Sequence, residues 1–209
     1  MRIAPFSDAW RGMAGFALAS LLPVLLLACG ARFGGPWLGL ALLYLTVFMA
    51  LIDRLAARAA PDAPEGAEFP AADALLVTLA LAHLALMPVA VIAVAGASGL
   101  SVAERVAAFF AFGLFFGQIA NPVAHELIHR GDRRLYHLGV AIYITLLFGH
   151  HASAHRQVHH RHVASPADPN TARRGESFYA FAPRAWMGSF RAGLAAETAR
   201  RGGLHPYLH

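Results

Sequence analysis

The chemistry in this chain is concentrated in its histidines. Of 12 in 209 residues, only His83 precedes residue 124. The first group is His125-Glu126-Leu127-Ile128-His129, followed by Arg130. Helical i, i+4 spacing sets His125 and His129 on one face, and Glu126 stands beside them. Read alone, this is the zinc-protease pattern, with Glu126 as general base. The second group, "HRQVHH", repeats the spacing with His155 and His159, and His160 is placed to reach a second ion. A zincin needs three protein ligands and one open position. Two groups offer five imidazoles, a surplus that points to two metals, and redox-active iron suits imidazole ligands.

Most of the remaining sequence is apolar. Hydrophobic residues make up 57% and charged residues 14%, with a mean hydropathy of +0.51. Soluble domains carry about 25% charged residues, so the composition points to a membrane protein. Four apolar runs stand out, over about 13–31, 37–52, 74–95 and from about 102 into the first histidine group. "GARFGGPW" reads as a tight turn between the first two. Residues 53–73, acidic with three prolines, read as a polar loop. No cleavable leader is expected from the first 20 residues.

All 17 basic residues are arginine. Arg2, Arg11, Arg54, Arg58, Arg130, Arg133 and Arg134 fall on one side of the four runs, so the N-terminus and the histidine half are expected in the cytoplasm. The net charge of +5 could suggest nucleic acid, but the arginines flank apolar segments and no nucleic-acid motif is present. Cys29 has no internal partner and is read as packing.

The expected architecture is all-α. A transmembrane anchor bundle of four spans covers 1–123, and a histidine-box catalytic region covers 124–209. A fifth apolar stretch, 135–151, is short. If it crossed the bilayer the two histidine groups would end on opposite faces, so it is expected to lie in the interface or to re-enter. Asn121-Pro122 predicts a kink before the first group. His83, mid-span, is read as a helix contact. The run "FFAFGLFF" (109–116) is read as lipid-facing and core packing, with a substrate groove as the alternative.

The stretches "NPVAHELIHR" and "GHHASAHRQVHHRHVASPADPNTARRGESFYAFAPR" resemble the membrane alkane 1-monooxygenases, within the membrane fatty-acid desaturase and hydroxylase superfamily. The first box matches through His125, Glu126, His129 and Arg130. The second, E-H-x-x-x-H-H, matches through His155, His159 and His160, with Ala154 where glutamate is usual and Val158 where glycine is common. The segment after it matches "VATPxDPxxxRxGExxYxF" through Val163, Ala164, Pro166, Asp168, Pro169, Arg173 or Arg174, Gly175, Glu176, Tyr179 and Phe181. Motif-level likeness runs from about Asn121 to Arg184.

The resemblance implies two non-haem irons held largely by histidines. It implies O2-dependent hydroxylation of the terminal methyl of an alkane or alkyl chain, with electrons from a rubredoxin or ferredoxin and its reductase. It implies a multi-pass protein of the cell inner membrane. A fatty-acid desaturase or lipid hydroxylase is the alternative, and an intramembrane zinc protease a more distant one. A third histidine box and an N-Y-x-E-H-Y-G-like element lie downstream in the family and are absent from these residues. The chain is therefore expected to be the front of a longer protein, inactive alone. Glu126, Asp168 and Glu176 are candidates for orienting ligand histidines through the free ring nitrogen; Asp168 could equally be a turn residue before Pro169.

Overall fold

The computed structural model describes residues 6–59, 70–96 and 98–202, and among these every regular element is helical. It divides into two compact units, residues 1–139 and 140–209.

The first unit is an antiparallel helical bundle. Helix α1 (Phe6–Phe33) is followed by α2 (Gly35–Leu43), which runs through a π-helical turn (Tyr44–Phe48) into α3 (Met49–Ala59). Helix α4 spans Ala72–Ala95, and α5 (Val102–Phe115) passes through a second π turn (Phe116–Ala120) into α6 (Asn121–Ile128). Four segments are long and apolar enough to cross a bilayer: Gly12–Phe33, Gly35–Leu55, Ala72–Ala95 and Val102–Ile128. The chain is thus a multi-pass, all-α membrane protein, as its composition implied.

Two boundaries differ from expectation. The turn after α1 is tighter than "GARFGGPW" suggested: only Gly34 is non-helical, with φ 62°, and Pro36 occupies the first turn of α2. Glycine tolerates that left-handed backbone without steric cost. The turn is held from α5, where Glu104 Oε1 accepts the Gly35 N–H at 2.7 Å while its other oxygen closes a capping box with Ser101. The polar loop expected over 53–73 is helical at both ends, because α3 runs on to Ala59 and α4 begins at Ala72; residues 60–69 lie outside the described residues.

The packed interior of this unit alternates large and small side chains. Phe112, Phe115, Leu27, Leu38 and Leu127 are fully buried beside Ala41, Ala80, Ala108, Ala111 and Ala124. Small residues let membrane helices approach closely, where dispersion rather than water exclusion holds them. His83 belongs to this interior, its ring edge-on to Phe116 at 4.8 Å. The phenylalanine run divides by helical face: Phe109 and Phe110 are exposed, Phe112 and Phe115 buried.

Helix α7 (Arg133–Thr145) covers most of the fifth apolar stretch and is only 13 residues long. It crosses α6 at Gly139, where an added Cβ would fall 2.8 Å from the Ala124 carbonyl oxygen and 2.9 Å from Leu127 Cβ. Gly139→Val is therefore expected to cost about 1–3 kcal/mol through overpacking, read as a lowered thermal midpoint in detergent.

The second unit is built around α8 (His151–Ala154), a third π turn (His155–His159), α9 (His160–His162) and the long α10 (Phe178–Arg200). Helix α10 lies on α8 through a stripe of small buried residues, Ala185, Ser189 and Gly193. At Gly193 a Cβ would stand 2.8 Å from the His150 carbonyl oxygen. The Ser153 hydroxyl on α8 donates to the Glu197 carboxylate on α10, and Glu197 also accepts from Arg200 and Arg201.

Candidate metal centre

The first box occupies the end of α6. The π turn before it ends immediately ahead of Asn121-Pro122. Pro122 has no N–H for the Gln118 carbonyl, and its ring would clash there in a regular helix. The wider π turn absorbs that defect, so the kink expected from the sequence takes the form of an inserted residue. His129 closes the helix, its N–H bonded to the Glu126 carbonyl oxygen at 3.2 Å. The His125 and His129 rings stand edge to face, 4.8 Å apart. Glu126 Oε1 is 3.6 Å from His125 Nδ1, an electrostatic contact longer than a hydrogen bond. The helix end is anchored where Arg130 Nε meets Asp73 of α4 at 2.8 Å.

Gln118, Pro122, Glu126 and Arg130 recur every four residues and line one wall of a cavity of about 380 Å³. Its other walls are apolar apart from Ser20, with Met13 and Phe16 of α1, Met49 of α3 and Leu75, Leu76 and Leu79 of α4. Glu126 thus faces the cavity. His125 and His129, one position earlier in each turn, lie on the neighbouring face of the same helix.

The second box is itself the π turn. A π turn is wider than an α turn, so positions four and five residues on both come near the first. His155 and His159 stack with centroids 5.3 Å apart, and His160 Nε2 lies 2.9 Å from His155 Nε2. Two nitrogens at that distance either share a proton or sit as two ligands of one ion. At metal–nitrogen bonds of about 2.1 Å, ligands at right angles stand about 3.0 Å apart. His155 is buried.

His159 has a dedicated partner. Its Nδ1 lies 2.8 Å from Oδ2 of Asp168, which is 2% exposed. With Nδ1–H donating to the carboxylate, Nε2 is left as the lone-pair nitrogen, the arrangement that orients ligand histidines in metalloenzymes. Burial pushes the Asp168 carboxyl up. Hydrogen bonds from the Thr171 hydroxyl (2.6 Å), the Asn170 N–H (3.0 Å) and His159 outweigh it and hold the group below its ordinary value. Asp168 therefore fills both roles considered for it, turn residue and histidine partner.

Glu176 does not contact a histidine. It forms a bidentate pair with Arg184, at 2.7 Å to Nε and 2.6 Å to Nη2, and accepts the Arg173 N–H at 2.9 Å. Hydrogen bonds from Arg184 and Arg173 hold its carboxyl down at about 2. Arg184 also donates to the carbonyls of Pro169 (3.0 Å) and Thr171 (3.0 Å). Ser189 bonds Asn170 at 2.9 Å, and Gly188 lies hard against Pro169. Residues 164–177 are thus a loop fastened to the start of α10 that presents Asp168 to His159. Sequence reasoning missed Arg184, Thr171 and Ser153. Arg184 ended the matched motif and Glu176 lay eight residues before it, but nothing in the spacing distinguished that pairing from a metal role.

Among the other described histidines of this half, His150 and His151 pack against neighbouring rings, while His162 is exposed. His151 stacks on Phe148 (4.6 Å) and on His155 (5.1 Å), and His150 meets Phe148 and Phe190 edge-on. Burial lowers the pKa of His150 and keeps its ring neutral. His137 is exposed.

Residues 101–208 match the fatty acid desaturase family, just over half of the chain, and the protein belongs to that family. Proteins it is similar to include monooxygenases. The chain is 37% identical over 82 residues to an alkane 1-monooxygenase of Acinetobacter baylyi, covering 39% of this chain and 20% of that protein. It is 30% identical over 127 residues to alkane 1-monooxygenase 1 of Pseudomonas aeruginosa, covering 57% and 33%. It is 34% identical over 90 residues to the xylene/toluene monooxygenase hydroxylase component of Pseudomonas putida, covering 41% and 24%. These matches span about a fifth to a third of the relatives' length. The resemblance carried by the two boxes and the following loop is borne out. A protease reading of the first box loses its basis.

Proposed function

We propose that the protein is an integral-membrane, non-haem di-iron monooxygenase that hydroxylates the terminal methyl of alkanes or alkyl chains with O2. The observation that carries this reading is the second box. A buried carboxylate fixes the tautomer of His159, and the π turn brings His155 and His160 nitrogen to nitrogen. Neutral, oriented imidazoles are what an iron centre requires. His125, His129, His155, His159 and His160 would hold the metal, which when bound supplies the oxygen activation that no side chain can provide.

The chain's own residues do the rest. The apolar walls beside the first box suit an alkyl chain that partitions from lipid, and they exclude water. Glu126, on the cavity wall, is the group placed to hold a proton or hydrogen-bond a product hydroxyl. Electrons would come from a rubredoxin or ferredoxin with its reductase. The arginine distribution favours an orientation with the N-terminus and both boxes on the cytoplasmic side of the inner membrane.

The full-length protein that carries these residues, reconstituted with iron, O2 and a reducing pair, is expected to convert an n-alkane to its 1-alkanol and to contain about two irons per molecule. One zinc per chain, or desaturation of an acyl lipid without hydroxylation, would overturn the reading. The likeness to a xylene/toluene monooxygenase hydroxylase component favours xylene and toluene as a second substrate class, to be run beside the alkane. Met49→Trp, which narrows the cavity, is expected to lower turnover of the longest accepted chain by roughly tenfold or more while sparing short ones, measured as product yield against chain length.

A further inference from the structure

Helix α10 carries three distinct faces. At about 100° per residue, Ala185, Ser189 and Gly193 form the buried stripe against α8. Next round the helix, Tyr179, Trp186 and Phe190 fall within about 40° of one another. Their exposures are 87%, 57% and 37%, and Met187 beside them is 48% exposed. Arg191 and Arg184 come after Met187, at the edge of this apolar stripe. Trp186 touches Phe148 and Phe190 touches His150 on their inner sides, yet both keep an exposed outer side that continues into Tyr179 and Met187; contiguous apolar patches of this kind mark sites of contact.

Charge narrows the choice of contact. Residues 140–202 hold eight arginines and three acidic residues. All three acids are engaged: Asp168 with His159, Glu176 with Arg184, Glu197 with Ser153, Arg200 and Arg201. Arg161, Arg173, Arg174 and Arg191 are exposed. The unit therefore offers a basic surface with its acids already engaged in internal hydrogen bonds and ion pairs, and an aromatic stripe bordered by arginine. A soluble acidic partner would need the arginines at the centre of the patch, but they lie at its rim. Trp, Tyr and Phe flanked by Arg is the composition of the bilayer interface, where the rings sit at headgroup depth and the guanidinium groups reach phosphate. The same polypeptide contains four helices able to cross a bilayer, so lipid is always within its tether. Helix α10, interrupted by Arg184, Arg191 and Glu197, is not one of those four.

We propose that α10 lies in the plane of the membrane, with Tyr179, Trp186, Met187 and Phe190 immersed at the headgroup boundary of an anionic lipid surface. This holds whatever metal or substrate the protein uses.

The test uses the full chain in lipid nanodiscs with Trp10→Phe and Trp37→Phe, which leaves Trp186 as the one tryptophan. Phosphatidylcholine brominated near the glycerol end of its acyl chains, mixed with phosphatidylglycerol, is expected to quench most of the Trp186 emission, and aqueous acrylamide to quench little. Arg191→Glu is expected to weaken lipid quenching, and more so when phosphatidylglycerol is present than in phosphatidylcholine alone. Strong acrylamide quenching without lipid quenching would place the stripe in water and overturn the proposal. Quenching by neither would mean that a protein surface covers it, which also overturns the proposal.

Discussion

His159→Ala is expected to remove most of the iron from the purified protein and to abolish hydroxylation, while Asp168→Asn lowers iron affinity by roughly tenfold to a hundredfold. The two differ because they act at different distances from the metal. His159 would supply the ligand nitrogen itself. Asp168 would supply only the charge that holds Nδ1–H and raises the basicity of Nε2. Asparagine keeps the shape and one acceptor oxygen, enough for the His159 Nδ1–H and the Thr171 hydroxyl but not also for the Asn170 N–H, so the charge and one turn hydrogen bond are lost while Arg184 still fastens the loop. If Asp168 acts through His159, the double variant should bind iron no worse than His159→Ala alone. Iron per chain and titrated iron affinity in all four proteins check this. Additive losses, or wild-type affinity in Asp168→Asn, would reduce the carboxylate to a turn residue.

Much of the bundle was legible because the signal for a membrane helix is length and hydropathy, and both survive in a single sequence. The four runs appeared with their order and nearly their ends. What failed at the ends had local causes. Gly34 alone makes the first turn because Glu104, seventy residues away, holds it, and no local pattern reports so distant a contact. The three π turns were invisible for another reason. A π turn changes the backbone by one residue without changing composition, and only Pro122 gave a sign of one. The third matters most, since it lets His155 approach both His159 and His160, which an ordinary α-helical reading of "HRQVHH" separates. In the loop after it, Asp168 was readable as a carboxylate near histidines. Glu176 looked the same in sequence and serves a different purpose, since its partner is a guanidinium on α10.

Arg184→Gln is expected to loosen residues 164–176 and to weaken iron binding by an amount close to that of Asp168→Asn, although Arg184 touches no histidine. The loop has no regular structure of its own. Its form depends on Arg184, which grips Glu176 with two hydrogen bonds and reaches the carbonyls of Pro169 and Thr171 with two more. Thr171 in turn donates to Asp168. Glutamine cannot span these acceptors. Lysine restores the charge but not the planar fork, so Arg184→Lys should recover only part of the loss. Glu176→Gln should be milder than Arg184→Gln, because the two carbonyl contacts remain. The Glu176 carboxyl is depressed to about 2 by Arg184. Its contribution is therefore complete above the ordinary carboxylate range near 4.3 and fades only as pH falls toward 2, so neutral and mildly acidic assays see the clamp intact. Backbone hydrogen exchange over residues 164–176 separates a positioning role from general instability. Protection should fall there in Arg184→Gln while α4 and α5 keep theirs, and iron affinity should fall with it. Unchanged exchange in the loop, or a loosened loop that binds iron as tightly as wild type, would break the link between the guanidinium and His159.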